Sequence, residues 1–402
     1  MIITVFSIIL AVLLEIMTPV SLTVNTFYVA PLMITGGTFI LLSAVVLQTL
    51  ILTPLGFLEQ KLVPNLMEII RLDRPLYYGR LILFAFPLIS YASAVLVLEN
   101  IRYQNWLFLV WLVFFGISLD LIRDSWERIT RFLTPSYVVK KVADQAIKSV
   151  QEEEDELLWH HIDSLSEIGL QAVERNKLAL GTQTLQAFPP IMHAFFDSSK
   201  SISHQNHDQE VKNETGRDEA SYTIFYLLQR LELINDRALK NRLETVCRQM
   251  IMVLGKIIIY AANYDITMVS FPVHFLSKFG LKAQQHHFDE VAMLTISTLL
   301  EISKTITQDV DVTYSELKES FQAILNGLDA LAKETFRKNK HMNISVLVQP
   351  FLDIKEFFST PKMIKHRDTP FIVQEIDRIV EEYRVLDQVV NAIPPFSEIE
   401  TP

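Results

Sequence analysis

Four long apolar runs, residues 2–24, 32–53, 81–98 and 106–122, fill the start of the chain, and no uninterrupted run of that length follows. Each has about the 17 to 25 residues that a helix needs to cross a hydrocarbon core. In lipid only helices and closed barrels satisfy their own backbone, so the pattern predicts four membrane helices within a transmembrane region at 1–134. The first run has no basic residue between Met1 and its start, unlike a signal peptide, and is read as a retained span. The fourth opens on Trp106 and Phe108, which suit an interface.

Beyond residue 134 the pattern becomes amphipathic. Leu157, Leu158, His161, Ile162, Leu165, Ile168, Ala172 and Val173 form one stripe at helical spacing. Phe288, Val291, Ala292, Thr295, Leu299, Ile302 and Ile306 form a second, and Tyr314 to Leu331 a third, started by a capping box of Thr313 and Glu316. A last helix begins at Thr369 and Pro370 and ends before Pro394 and Pro395. Only Ile344 to Val348 has strand character, and a lone strand has no partner. Between Leu227 and Tyr264 the apolar content rises, nearly continuously from Met250 to Ile259, but Arg237, Lys240, Arg242, Arg248 and Lys256 interrupt any window of spanning length, which favours a buried helix over a fifth span.

The fold class expected is therefore all-α: a four-helix transmembrane region, then a soluble, solenoid-like helical domain. Its parts are proximal helices at 135–198, a polar flexible linker at 199–219, a distal helical unit at 220–391 and a tail at 392–402. Pro189 and Pro190 should break the helix ahead of the linker. A faint echo links the segments beginning His160-His161 and His286-His287, each followed by an aspartate and an apolar stripe, as two units of a stacked-helix array would show.

Charge adds orientation. Lys61, Arg71, Arg74 and Arg80 lie between the second and third spans, and Arg123, Arg128, Arg131, Lys140 and Lys141 follow the fourth, whereas the other two connections hold only Arg102. The positive-inside rule then places both termini and the soluble domain in the cytoplasm of a multi-pass protein of the plasma or inner membrane. The membrane region carries equal numbers of acidic and basic residues, so the soluble part carries the whole net charge of −10. An acidic domain repels phosphate backbones, which argues against a nucleic-acid partner. A single cysteine, Cys247, excludes a disulfide framework.

Candidate chemistry is sparse. Glu15, far from either end of the first span, is an ion or proton site, an interhelical lock, or a side chain reaching the far interface. Asp120 is expected to pair locally with Arg123 or snorkel. Gly36 and Gly37 form a small patch for close helix approach, and Pro87 should kink the third span. Together with Glu15 these residues could line a narrow polar path. His160, His161 and Asp163, with His286, His287 and Asp289, have zinc or iron ligand chemistry, although polar residues at helix starts are the commoner case. No phosphate loop, dinucleotide fingerprint or nucleophile elbow occurs, and neither catalytic residues nor a cofactor is expected. The leading expectation is a membrane-anchored interaction or scaffold protein whose partners are the bilayer and a protein or a second copy. The alternative is an oligomeric channel or transporter with a cytoplasmic regulatory domain.

Overall fold

The computed structural model describes residues 3–5, 7–9, 12, 26–61, 66–71, 73–99, 104–152, 154–205, 209–312, 315–339 and 343–392. Among the described residues every regular element is helical. The chain divides into two compact units, Met1–Val138 and Val139–Pro402.

The first unit contains α1 (Thr26–Lys61), the short α2 (Leu66–Arg71), α3 (Arg74–Glu99) and α4 (Gln104–Phe132). Helices α1, α3 and α4 pack on one another. Met33, Ile40, Leu55 and Leu83 are buried between them, while Leu42, Leu88 and Leu98 point outward with 60, 71 and 61% of their surface exposed. Helices apolar on both their buried and exposed faces suit a lipid surround rather than water. Each of the three is long and apolar enough to cross a membrane. Pro31 and Pro54 lie inside α1 and Pro87 inside α3.

Ahead of α1, residues 3–5 and 7–9 are helical. The Asp120 carboxylate in α4 accepts hydrogen bonds from the backbone N–H groups of Ile3 (3.3 Å) and Thr4 (2.8 Å) and from the Thr4 hydroxyl. This corrects the expected local pairing of Asp120: Arg123 reaches Glu127 (3.2 Å) instead, and Arg128 reaches Asp124 (2.8 Å). The physical reason is that the first N–H groups of a helix lack intrahelical acceptors, and a carboxylate satisfies several of them at once. Glu15 lies outside the described residues.

The second unit begins within α5 (Pro135–Gln151) and continues through α6 (Asp155–Glu174), α7 (Leu178–Gln205), α8 (Gln209–Lys240), α9 (Glu244–Tyr264), α10 (Ser270–Gln285), α11 (Asp289–Gln308), α12 (Lys318–Lys338), α13 (Ile344–Phe358), the single turn α14 (Pro361–Ile364) and α15 (Thr369–Ala392). Packing follows a stack of hairpins in two layers. One layer runs α6, α8, α10, α12 and α15, and the other α7, α9, α11 and α13. Within a layer the helices run parallel. Trp159 meets Tyr222 at one end of the α6–α8 seam and Glu174 meets Arg237 at the other. On α10 and α12, Ser270 meets Glu319 and Gln284 meets Thr335.

Helix α9 is a fourth helix long and apolar enough to cross a membrane, yet its surroundings differ. Its most apolar window is 61% buried, against 31, 33 and 17% for the windows of α1, α3 and α4. It packs on α7, α8, α10 and α11, so its apolar length serves a protein core.

Three hairpins share one turn. Asn176, Arg242 and His287 take positive φ values of 56, 55 and 63°. The next residues, Lys177, Leu243 and Phe288, donate their N–H groups to the carbonyls of Ala172, Ala238 and Ala283 at 2.8, 2.9 and 2.9 Å. This is a Schellman closure, with the left-handed residue supplied by side chains other than glycine. The register also corrects the histidine echo. His160 lies inside α6, whereas His286 caps the end of α10 and His287 is the left-handed turn residue. Thus α6 corresponds to α10 rather than α11.

Four local expectations change. Helix α7 continues through Pro189 and Pro190, because burial of Phe188, Ile191 and Met192 outweighs two missing N–H donors. The expected linker is helical over residues 199–205 and 209–219, as the ends of α7 and α8; it contains no proline and one glycine, Gly216. Ile344 to Val348 starts α13, where Asn343 caps the Ser345 N–H (2.9 Å) and Ile344, Leu347, Val348 and Phe351 are buried at helical spacing. Thr313 lies outside the described residues, and α12 begins only at Lys318. Its preceding Leu317 N–H is taken by the Asp368 carboxylate at 2.8 Å. His366 braces the same joint: Nδ1 accepts from Asp368 N–H, so Nε2 carries the proton toward the carbonyls of Val312 and Ser315.

The turns generate a prediction. A non-glycine residue in the left-handed region is strained by roughly 1–2 kcal/mol, partly offset in glycine by the entropy of its unfolded chain. Arg242 and His287 are exposed, so Arg242→Gly and His287→Gly should each stabilise the stack by up to about 1 kcal/mol, seen as a higher Tm in detergent. A lower Tm for both would refute the strain.

Candidate functional site

Three places combine polar chemistry with defined geometry. The first is the centre of the α1–α3–α4 bundle. Trp111 Nε1 on α4 donates to Ser90 Oγ on α3 at 2.7 Å, and Ser90 Oγ donates to the Met33 carbonyl on α1 at 2.6 Å. One hydroxyl thereby joins all three helices. The approach depends on the adjacent glycines: a Cβ on Gly37 would lie 2.8 Å from Ser90 Cβ, and one on Gly36 would lie 2.7 Å from the Trp111 ring. Pro87 stands one turn before Ser90, with its Cα 3.6 Å from the position of that Gly37 Cβ. Phe115 stacks on Trp111 with centroids 5.2 Å apart. Among the described residues Gly36 and Gly37 therefore serve close helix packing, against Trp111 and Ser90.

The second place lies in the sequence beside the connection charges. Arg80 lies in the second turn of α3, between buried Leu76 and Leu83 on the same face. Its Nε and Nη2 are buried without a hydrogen-bond partner and border a small cavity lined also by Gln48 of α1 and Ser125 of α4. The spacing Leu76-Arg80-Leu83 was the available signal, because it puts the guanidinium on the core stripe of a helix.

The third is the face of the α6–α8–α10–α12 layer. Between α10 and α12 runs an open groove of about 740 Å³, lined by Phe271, His274, Lys278, Leu281, Gln322 and Asn326 among others. Its helices approach closely where Ser277 meets Gly327, at which a Cβ would overlap the serine hydroxyl. Phe225 packs on Phe271 at 5.3 Å and Phe271 on Phe275 at 5.1 Å, continuing an aromatic row begun by Trp159 and Tyr222. Lys278 and Lys282 are held by Glu232 (2.6 and 3.0 Å), and Lys282 also by Asp236 (2.7 Å). Despite partial burial, the two lysines hold the Glu232 carboxyl below its usual range.

The proposed metal ligands do not come together. Asp163 accepts from the Tyr226 hydroxyl at 2.6 Å and pairs with Arg230 Nε at 2.8 Å, which commits it to the α6–α8 seam. Asp289, at the start of α11, sits 3.8 Å from Lys338 on α12. His160, His286 and His287 are exposed, and among the described residues no three His, Cys, Asp or Glu side chains are placed to hold a metal ion. His161 alone is buried, and desolvation, with the neighbouring His160, lowers its pKa to about 4.

Gly37→Val should destabilise the bundle by roughly 1–3 kcal/mol through overpacking, and Trp111→Phe by about 1 kcal/mol through loss of one hydrogen bond. Thermal unfolding in detergent measures both, and a neutral Gly37→Val would contradict the close approach. For His161, a folded pKa below the unfolded 6.5 means that the unfolded chain binds more protons between pH 6.5 and 4. Stability should be complete above pH 6.5 and fall as pH drops through that window, and His161→Leu should flatten the loss; an identical pH profile for the variant would contradict it.

The chain matches no family model, no curated protein and no solved structure, so a functional reading has to come from these geometries alone.

Proposed function

We propose that this protein is a membrane-anchored scaffold whose stacked helical unit binds a protein segment along the groove between α10 and α12. The observation that supports it is the groove itself. It offers Phe271 and Leu281 for an apolar anchor and the Gln322 and Asn326 amides for backbone hydrogen bonds. Stacked hairpins commonly present such surfaces, and a groove with a few polar groups on an apolar floor suits a helix or extended peptide. The basic residues flanking the apolar helices favour a cytoplasmic location for this unit and for both termini.

Cysteine labelling tests location and binding together. Cys247 is buried and its thiol is pushed up to about 12, so engineered cysteines report alone. Gln322→Cys in the groove and Glu301→Cys, exposed on α11 in the opposite layer, should both resist a membrane-impermeant maleimide in intact cells and react once the cells are opened. In opened native membranes Gln322→Cys should react several-fold more slowly than in purified protein, while Glu301→Cys reacts equally in both. Reaction in intact cells would reverse the orientation, and equal rates at Gln322 would remove the groove as a binding site.

A further inference from the structure

We propose that Arg80 and its neighbours form a binding site for a small monatomic anion, chloride in size, inside the α1–α3–α4 bundle. This goes beyond the scaffold reading and does not depend on it. The argument starts from charge. An arginine stays protonated at any working pH, and a cation within a membrane bundle is expensive unless an anion, a carboxylate or water meets it. Arg80 Nε and Nη2 are buried and unpartnered, and none of the residues lining the cavity beside them is acidic. Among the described residues the cavity therefore offers donors for a counter-charge and no acidic side chain to supply it.

The lining defines what fits. Beside the guanidinium stand the Gln48 amide and the Ser125 hydroxyl, each able to donate a hydrogen bond, and the remaining wall is Ala44, Leu47, Ile51 and other apolar side chains. Donors on an apolar wall select a weakly hydrated anion. The cavity measures only about 10 Å³, on the scale of one water or one halide ion after slight relaxation, and too small for a phosphate group. A water could accept from the guanidinium but would leave its charge unbalanced, whereas a halide meets both demands.

The test uses the full-length protein in a neutral detergent. Its Tm is followed in sodium chloride, sodium bromide and sodium gluconate at equal ionic strength, so that general screening cancels. A bound anion stabilises by mass action, so Tm should rise by several degrees with chloride or bromide relative to gluconate, and this difference should vanish in Arg80→Gln. Equal Tm values in the three salts, or a halide effect that survives in Arg80→Gln, would overturn the proposal. If Arg80→Gln does not fold, the wild type decides through chloride NMR: a line broadened by the protein and sharpened by competing bromide supports the site, and an unbroadened line overturns it. A Tm rise produced in gluconate by phosphatidylglycerol, absent with phosphatidylcholine and lost in Arg80→Gln, would assign the guanidinium to a lipid headgroup and also overturn it.

Discussion

The second unit depends on a backbone constraint that recurs at three of its hairpins. To lay one helix antiparallel on the preceding one, the chain must leave α6, α8 or α10 and enter the next helix within a few residues, while its last carbonyls still find donors. The closure through Ala172, Ala238 and Ala283 meets both demands. Those alanines are buried, and a larger side chain there would push the following helix away. With the turn angle repeated, successive hairpins arrive in the same orientation. The seams of ion pairs and aromatic rings, such as Glu232 with Lys278 and Phe225 with Phe271, then fall into register.

Much of this architecture was legible in the sequence. The apolar runs and stripes of helical period carry the helices directly, because burial along one face leaves a mark at every third or fourth residue. Helix α9 shows the limit of that signal, since it is long and apolar enough to cross a membrane and yet more buried than the helices of the first unit. Local signals read in isolation did less well. Pro189 and Pro190 look like breakers until the packing of Phe188 and Met192 is included. The Thr313 and Glu316 pair resembles a helix start, but the start of α12 is held by Asp368, 51 residues farther on. Such distant partners leave no local trace.

The repeat and the polar sites were hidden for related reasons. The shared turn is written in backbone angles, and Asn176, Arg242 and His287 share no chemistry, so paired histidines drew attention to the wrong alignment. In the bundle, Gly36 and Gly37 stood out by size, but their partners Ser90 and Trp111 could be named only once three helices were laid together. Arg80 was counted with the loop charges because the third apolar run begins just after it, although α3 itself begins six residues earlier.

The order of the stack has a mechanical consequence. Close packing joins each hairpin to its neighbours in the series, and the parallel helices of a layer meet along seams rather than around a common centre. A load on α6 reaches α15 through successive interfaces, each able to yield slightly. The unit is thus built as an elastic element, in which a modest tilt repeated at each seam accumulates into a large curvature without breaking any one hairpin.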